Sequence, residues 1–336
     1  MRKYLLPKAG KFYKANLHMH TTISDGNIEP DEVKRLYLEQ GYSIVAFSDH
    51  EVMVSHHDLT DDNFLAITST EISINKNWDI DFEFQKTFHF NLLSEDPLKD
   101  YYQTFSKEAM WLPHSFDFIS KNQQKIEYER EYSIDKINEM IRISNEENCL
   151  VLYCHPVWSL QDYSDYINLE GLWGIEWFNT GASSSGYYDS MKPIDDLLRI
   201  GKNVYPVATD DAHYLSVCFG GFVMVKAENL KYNTIFKALK SGDFYSSKKP
   251  LIHELYIEDG IINLKCSPVS QIVLYTERRY TKNLTGYQME EAQININDYL
   301  KKSFEKGCQH PYIRLTLIDQ AGNKAQTRAY YLDELR

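Results

Sequence analysis

Asn16-Leu17-His18-Met19-His20-Thr21-Thr22-Ile23-Ser24-Asp25-Gly26 decides how the rest of the chain is read. His18 and His20 stand at i and i+2 at the end of a short run, Phe12 to His20, that reads as a β-strand. Such positions point to one face of a strand, so both imidazoles can serve a single metal ion. Asp25 follows within a turn, where Gly26 lets the backbone double back. One His-x-His pair by itself is equally a pair of partly exposed histidines at a strand end. The rest of the chain repeats the theme.

Working outward, Pro30 starts a helix with Asp31 and Glu32 in its first turn; Val33, Leu36 and Tyr37 give its apolar face and Gly41 its end. Ser43 to Phe47 reads as a buried strand that ends in Ser48-Asp49-His50. Strand, helix and strand make a βαβ unit with parallel strands. Phe64 to Thr70 is a further strand ending at Glu71, and Phe88 to Leu93 another, with His89 inside it. A polar turn, Asn75-Lys76-Asn77-Trp78-Asp79, separates them. Residues 94 to 132 form an insertion with Trp111 and His114, of the length that covers a barrel mouth as a lid or helical excursion.

Ser133 caps a helix carrying Ile134, Ile137 and Ile141. Leu150 to Tyr153 leads into Cys154-His155-Pro156. Gly174 to Phe178 leads into Asn179, then a Gly/Ser-rich loop, Gly181 to Gly186, and a helix from about Tyr187 to Ile200. Val204 to Ala208 leads into Thr209-Asp210-Asp211-Ala212-His213. Phe222 to Val225 is a strand, and a helix from Tyr232 to Lys240 closes this half. From Leu251 the texture is short strands, with turns at Asp259-Gly260, Ser267-Pro268 and Ala321-Gly322-Asn323 and no competing helical period. That pattern predicts an all-β sandwich. The expected domains are residues 1–248 and 249–336.

The chain has 336 residues, enough for one large α/β barrel or two domains. Its formal charge is −12 with no basic stripe, so no nucleic-acid partner is expected. Metal cations can still supply the local charge that holds an anionic substrate. The five cysteines are odd in number and form no Cys-x-x-Cys, which reads as reduced thiols. No apolar run is long enough for a membrane span, and the N-terminus lacks a signal-peptide core, so a cytoplasmic location is expected. Oligomeric state is not legible.

Nine metal-type ligands are expected at or beside the C-terminal ends of parallel strands: His18, His20, Asp25, His50, Glu71, His89, His155, Asp211 and His213. Six of the 11 histidines belong to this set. In α/β barrels those strand ends converge on one mouth, where the chemistry sits.

Four motifs, His18-Met19-His20 with Ser24-Asp25-Gly26, Ser48-Asp49-His50, Cys154-His155-Pro156 and Asp211-Ala212-His213, carry a resemblance to the PHP (polymerase and histidinol phosphatase) superfamily of metal-dependent phosphoesterases. The resemblance covers about residues 10 to 248. It implies an α/β fold, a distorted (β/α)7 TIM-like barrel, here followed by the small all-β sandwich, and a site for three divalent transition-metal ions (Zn, Mn or Fe). His18, His20, Glu71 and Asp211 would hold one ion. Glu71, His89 and His155 would hold a second, with Glu71 bridging. Asp25, His50 and His213 would hold the third. Glu71, Asp211 and His213 are the residues it implies for the chemistry, in which a metal-bridging hydroxide attacks a small phosphate ester.

The last motif departs from the family pattern, because Asp210 stands where Ser is usual. The spacing to His213 makes Asp211 the expected ligand, with Asp210 supporting it from behind. Asp49 is expected either to orient His50 or to be an ordinary strand-end carboxylate. Cys154 reads as a buried structural thiol, and His56-His57 as a solvated turn. Trp158, Trp177, Asn179 and Tyr214 are candidate pocket walls. Lys76, Lys192 and Arg199 are the phosphate-binding candidates, each better read as a surface charge. Two other readings stand beside the phosphoesterase: an amidohydrolase or lactonase on the same ions, and a metal-stabilised scaffold without activity.

Overall fold

The computed structural model describes residues 2–77, 80 and 84–335. Trp78 and Asp79 of the expected polar turn lie outside the described residues.

Strands β1 (Lys3–Tyr4) and β2 (Lys11–Asn16) precede helix α1 (Pro30–Glu39) and strand β3 (Tyr42–Phe47). Pro30 occupies the first turn of α1, and Val33 and Tyr37, one turn apart, bury its inner face. The long strands β4 (Leu65–Asn75) and β5 (Thr87–Ser94) follow. The insertion is built of short 3-10 turns at Lys107–Ala109, Pro113–Phe118 and Gln123–Lys125. Next come α2 (Ile134–Glu146), β6 (Cys149–Tyr153), α3 (Tyr163–Tyr166) and β7 (Gly174–Asn179). The Ser133 hydroxyl caps α2 by accepting from the Lys136 N–H, as its sequence predicts. Then follow α4 (Thr180–Ser184), α5 (Lys192–Arg199), β8 (Tyr205–Thr209), β9 (Phe222–Ala227), α6 (Tyr232–Ser241) and β10 (Phe244–Ser247). Gly242 stops α6 with a left-handed φ of +70°. The C-terminal part holds β11 (Ile252–Glu258), β12 (Ile261–Thr276), β13 (Lys282–Asn295), α7 (Asn297–Glu305), β14 (Tyr312–Ile318), β15 (Lys324–Thr327) and β16 (Tyr330–Tyr331).

Strands β2, β3 and β4 are parallel, as are β6, β7 and β8. Strand β5 runs antiparallel to both β4 and β6. The expectation that every ligand sits at the end of a parallel strand is therefore corrected. The connection from Asn75 to Thr87 is too short for a crossover helix, so β5 must return as a hairpin partner. Glu71 lies in the middle of β4, and His89 within β5.

The expected closed barrel is also corrected. The hydrogen-bonded path runs β1-β11-β12-β14-β15-β10-β9-β2-β3-β4-β5-β6-β7-β8 and stays open between β8 and the strands across the seam. The edge of β2 that β8 would need is taken by β9, antiparallel over Lys11–Ala15. Among the described residues, one isolated bridge, Met19 to Ala212, crosses the seam. The C-terminal strands continue the same sheet through the β10–β15 pairing. They enclose an apolar core of Leu255, Ile272, Leu315 and Leu317, to which Leu5, Leu6 and Tyr245 contribute. Full burial of each such aliphatic side chain stabilises the fold by about 1.5–3 kcal/mol.

Two local readings also change. Helix α7 interrupts the region read as all-β, because only Tyr299 and Ser303, one turn apart, are buried along it. Ser267-Pro268 is no turn; it lies inside β12, where register breaks between Lys265 and Val269 let the sheet tolerate proline.

Candidate metal centre

The ligand-bearing segments are tied to one another by backbone. Asp211 N–H donates to His18 O (3.0 Å), His20 N–H to Ala212 O (3.2 Å) and Ser48 N–H to Met19 O (2.8 Å). His50 and Glu71 form a parallel bridge of their own. The two histidines of the opening motif are thus clasped between the segments 48–50 and 211–213. Asn16 reinforces the clasp, its Oδ1 accepting from Asp210 N–H at 3.0 Å.

All nine predicted ligands converge. The Nε2 atoms of His18 and His20 lie 3.1 Å apart. Both face Glu71 Oε2, at 3.2 and 3.1 Å, and Asp211 Oδ1, also at 3.2 and 3.1 Å. The centre of a tetrahedron with such edges lies about 2 Å from each corner, the length of a zinc bond to nitrogen or oxygen. The other oxygen of Glu71, Oε1, is 3.0 Å from His89 Nδ1 and 3.2 Å from His155 Nε2. Beside this, Asp25 Oδ2 lies 3.2 Å from His213 Nε2 and 3.7 Å from His50 Nε2. His20 Nδ1, 3.6 Å from Asp25 Oδ1, joins this third group, an addition to the set read from sequence.

The donor set fits divalent cations. It offers imidazoles and carboxylates, which suit Zn, Mn or Fe(II). Among the described residues, His20 Nδ1, His89 Nε2 and Asp211 Oδ1 are buried side-chain atoms without a hydrogen-bond partner. Buried polar atoms left unpaired are costly, and a ligated cation would relieve that cost. The backbone is bent to suit: His155 and Asp211 take left-handed φ of +27° and +50°. Non-glycine residues held there cost about 1–3 kcal/mol each and cluster at functional sites.

Charge is strongly coupled within the cluster. Burial lowers the His20 pKa, but the Asp211, Glu71 and Asp25 carboxylates outweigh it and push it up to about 10. His18 and His155 are raised in the same way against their burial. Glu71 and Asp211 are held well below the usual carboxylate range, because the surrounding imidazoles outweigh burial. His50 moves the other way, to about 4, with burial the largest cause.

Glu176 on β7 is the residue that sequence reading missed. Its Oε1 is 2.8 Å from His18 Nδ1, and its Oε2 accepts from His155 N–H at 2.8 Å. Thr209 Oγ1 and Asn179 Nδ2 also donate to it, at 2.6 and 2.9 Å. A carboxylate on Nδ1 fixes the ring so that Nε2 faces the cluster. Inside the apolar run Gly174 to Phe178, the one charge on a buried strand was the available signal.

Two aspartates turn out to be builders of loops. Asp49 does not orient His50; its Oδ1 accepts from Thr21 N–H, Ser24 N–H and Ser24 Oγ, and its Oδ2 from Thr21 Oγ1. It shapes the loop that carries Asp25. Asp210 accepts from Tyr37 Oη, Thr180 Oγ1 and the N–H groups of Phe219, Gly220 and Gly221, all at 2.8–3.0 Å. It supports the chain behind Asp211 without touching the ligand atoms. Cys154 is fully buried and donates to Leu152 O, and burial raises its thiol pKa, as befits a structural thiol.

A cavity of about 460 Å³ opens over the cluster. Asp25, His50, Glu71, His89, His155, Asp211 and His213 form its floor, and Trp111 and Trp158 stand in its wall. Trp111 lies 6.0 Å from the His50 ring and Trp158 4.9 Å from the His155 ring. Of the other candidate walls, Trp177 is buried and donates to Ser246 Oγ, Asn179 binds Asp211 Oδ2 from the side, and Tyr214 is exposed beside His213. Of the expected solvated turn, His57 is exposed, whereas His56 packs 4.6 Å from the Phe47 ring. Lys192 and Arg199 pair with Asp196, and the Lys76 ammonium lies 5.9 Å over the Tyr132 ring; none lines the cavity.

The insertion is fastened across this loop system. His114 Nε2 lies 2.7 Å from Ser24 O, and Ser115 Oγ donates to Ile23 O at 2.7 Å. Arg130 makes a buried bidentate pair with Glu51, at 2.7 Å to each oxygen. Glu51 follows His50 directly, has φ +62°, and donates its N–H to Glu71 O.

No family model and no curated protein matches the chain. Solved structures do. A two-domain protein from Bacteroides vulgatus containing a predicted PHP-like metal-dependent phosphoesterase is 13% identical over 98% of this chain and 97% of that one, with TM-score 0.46. An amidohydrolase from Chromobacterium violaceum is 15% identical over 59% of this chain and 87% of that one, with TM-score 0.35. A lesion-specific endonuclease from Pyrococcus furiosus is 12% identical over 68% of this chain and 56% of that one, with TM-score 0.40. Among the described residues no helix is long and apolar enough to cross a membrane. By the motifs around His18, His50, His155 and Asp211 and their meeting at one cluster, the chain resembles the PHP superfamily of metal-dependent phosphoesterases.

Proposed function

We propose that the chain is a metal-dependent hydrolase of small phosphate esters with a three-ion site. The observation that carries this reading is Glu71, whose two carboxylate oxygens each face a different pair of imidazole nitrogens. One carboxylate can hold two cations side by side in that arrangement. The ions would be held by His18, His20, Glu71 and Asp211; by Glu71, His89 and His155; and by Asp25, His50 and His213. Ions of this kind supply a water of lowered pKa and positive charge for phosphoryl oxygens.

The chain's own residues do the rest. Glu71 and Asp211 are the shared groups, since Asp211 Oδ1 faces His18 and His20 while its Oδ2 lies 3.8 Å from His155 Nε2. His213 is partly exposed at the cavity, where a leaving alcohol would emerge. Among the described residues no lysine or arginine lines the cavity, so a phosphate there depends on bound cations for its charge balance. Every proposed ligand lies at or before His213, which is why we place the activity in residues 1–248 and treat 249–336 as an appended domain.

Two measurements test the reading. Elemental analysis of protein purified without chelator should approach three transition-metal ions per chain, and a reproducible count of one or none removes the mechanism. A screen with added Mn²⁺ should show hydrolysis of phosphate esters. Turnover of amides or lactones instead would assign the same cluster to carbonyl chemistry, and turnover of nothing would leave a scaffold.

A further inference from the structure

Resting on the phosphoesterase reading, the charge distribution in the cavity says more about the substrate. The charged and titratable lining groups sit together on the floor: Asp25, His50, Glu71, His89, His155, Asp211 and His213. The described wall is neutral, made of Ser73, Asn75, Ile80, Gln85, Trp111 and Trp158. One anionic group can therefore be met, on the floor, and among the described residues the wall offers no cation to a second. An anion taken from water without a partner is strongly disfavoured.

The same wall favours a ring. Trp111 stands on the His50 side and Trp158 on the His89 and His155 side, 5.8 and 4.9 Å from those rings. Indole faces take up flat or C–H-rich rings well. Among the described residues Asn75 Oδ1 and Gln85 Oε1 have no hydrogen-bond partner, so the wall has acceptor capacity to spare for a hydroxyl or N–H once these side chains turn toward a ligand. A cavity of about 460 Å³ has room for a phosphate and one or two rings. We propose that the preferred substrate carries a single phosphate group and that its alcohol is a neutral, hydroxylated ring compound held against Trp111 and Trp158. A sugar and a nucleoside share that chemistry.

The test uses Mn²⁺-loaded full-length protein and matched phosphate esters. The pairs are a hexose monophosphate against a hexose bisphosphate, and a nucleoside monophosphate against a nucleoside bisphosphate. Methyl phosphate is the ringless reference. The single-phosphate member should win in kcat/KM by about tenfold or more in whichever pair is turned over, and that pair tells sugar from nucleoside. Trp111→Ala and Trp158→Ala should each raise KM for the ring-bearing ester by roughly tenfold and affect methyl phosphate turnover much less. Quenching of tryptophan fluorescence by the unphosphorylated sugar or nucleoside gives a readout independent of turnover. Equal or better turnover of the bisphosphates, or equal effects of the tryptophan variants on methyl phosphate, overturns this inference while leaving a phosphoesterase. Turnover of none of these esters by metal-loaded protein overturns the phosphoesterase reading, and this inference with it.

Discussion

Asp210 and Asp211 are neighbours in sequence and opposites in structure, and replacing each with asparagine separates their roles. Asp210 gathers five donors at 2.8–3.0 Å, from Tyr37, Thr180, Phe219, Gly220 and Gly221. An asparagine carbonyl can accept about two of them. Its NH₂ group would face the remaining donors, so two or three bonds to a charged acceptor are lost, at about 1.5–3 kcal/mol each. Burial pushes the Asp210 carboxyl up, so a neutral amide recovers part of that loss. The net expectation for Asp210→Asn is a loss of roughly 2–4 kcal/mol. In a chain of this size that is a melting point lower by roughly 3–6 °C. Its folded form should still load metal at saturating Mn²⁺, because Asp210 touches no ligand atom and an asparagine keeps about two of the bonds that anchor it. Asp211→Asn should do the reverse. It removes the negative charge of the carboxylate whose Oδ1 lies 3.1–3.2 Å from two imidazole nitrogens, so metal content at limiting Mn²⁺ should fall while the metal-free melting point moves less than in Asp210→Asn. Calorimetry of chelated protein and elemental analysis of loaded protein read the two effects. If Asp210→Asn loses metal and melts like the unmodified chain, Asp210 is the ligand and the assignment is wrong by one residue.

Other perturbations follow from the same geometry. Glu71→Gln should remove two ions together, read by elemental analysis, and spare most of the ion assigned to Asp25, His50 and His213; loss of a single ion would refute the bridge. Glu176→Gln should weaken metal binding by about 10–100-fold with the fold intact, because His18 loses the carboxylate that sets its ring, and unchanged affinity would make Glu176 a packing residue only. Without metal the His20 pKa is pushed up to about 10, and His18 and His155 are raised in the same direction, so a cation must displace protons from this cluster. Affinity should therefore fall as pH drops from about 7 to 5, with proton release on binding visible as buffer-dependent heat in calorimetry. Arg130→Met should cost about 3–5 kcal/mol by stranding the Glu51 carboxylate, and Arg130→Met with Glu51→Gln should recover much of it; denaturant titrations that add independently would show the pair is uncoupled.

The sequence was most readable where chemistry and backbone share one short segment. His18, His20, His50, His155 and His213 each lie at a strand end or just past it, where periodicity and residue type agree. Glu71 and His89 were found by type, but their strands were misjudged. Strand β4 is buried along almost its whole length, so no alternation marks where the site falls within it. The antiparallel return of β5 depends on the length of the connection after Asn75, a chain-closure matter that hydrophobic pattern does not express. The open seam is likewise an outcome of competition: β9 wins the edge of β2, and no residue in β8 announces that it will go unpaired there.

What stayed illegible has a common physical cause: its partners are distant in sequence. Glu176 meets His18 across 158 positions, and Arg130 meets Glu51 across 79. Neither contact leaves a local motif. Asp210 is the instructive case, because the spacing to His213 sets it behind Asp211 without saying what holds it there. The five donors that claim it come from α1, α4 and the loop entering β9, and they turn its carboxylate away from the cluster. Asp211 is left with the left-handed backbone, at φ +50°, and with the imidazoles. Anchoring of the first aspartate is therefore what aims the second. The strain at Asp211 persists because Asp210 on one side and the His18 carbonyl on the other over-determine the turn.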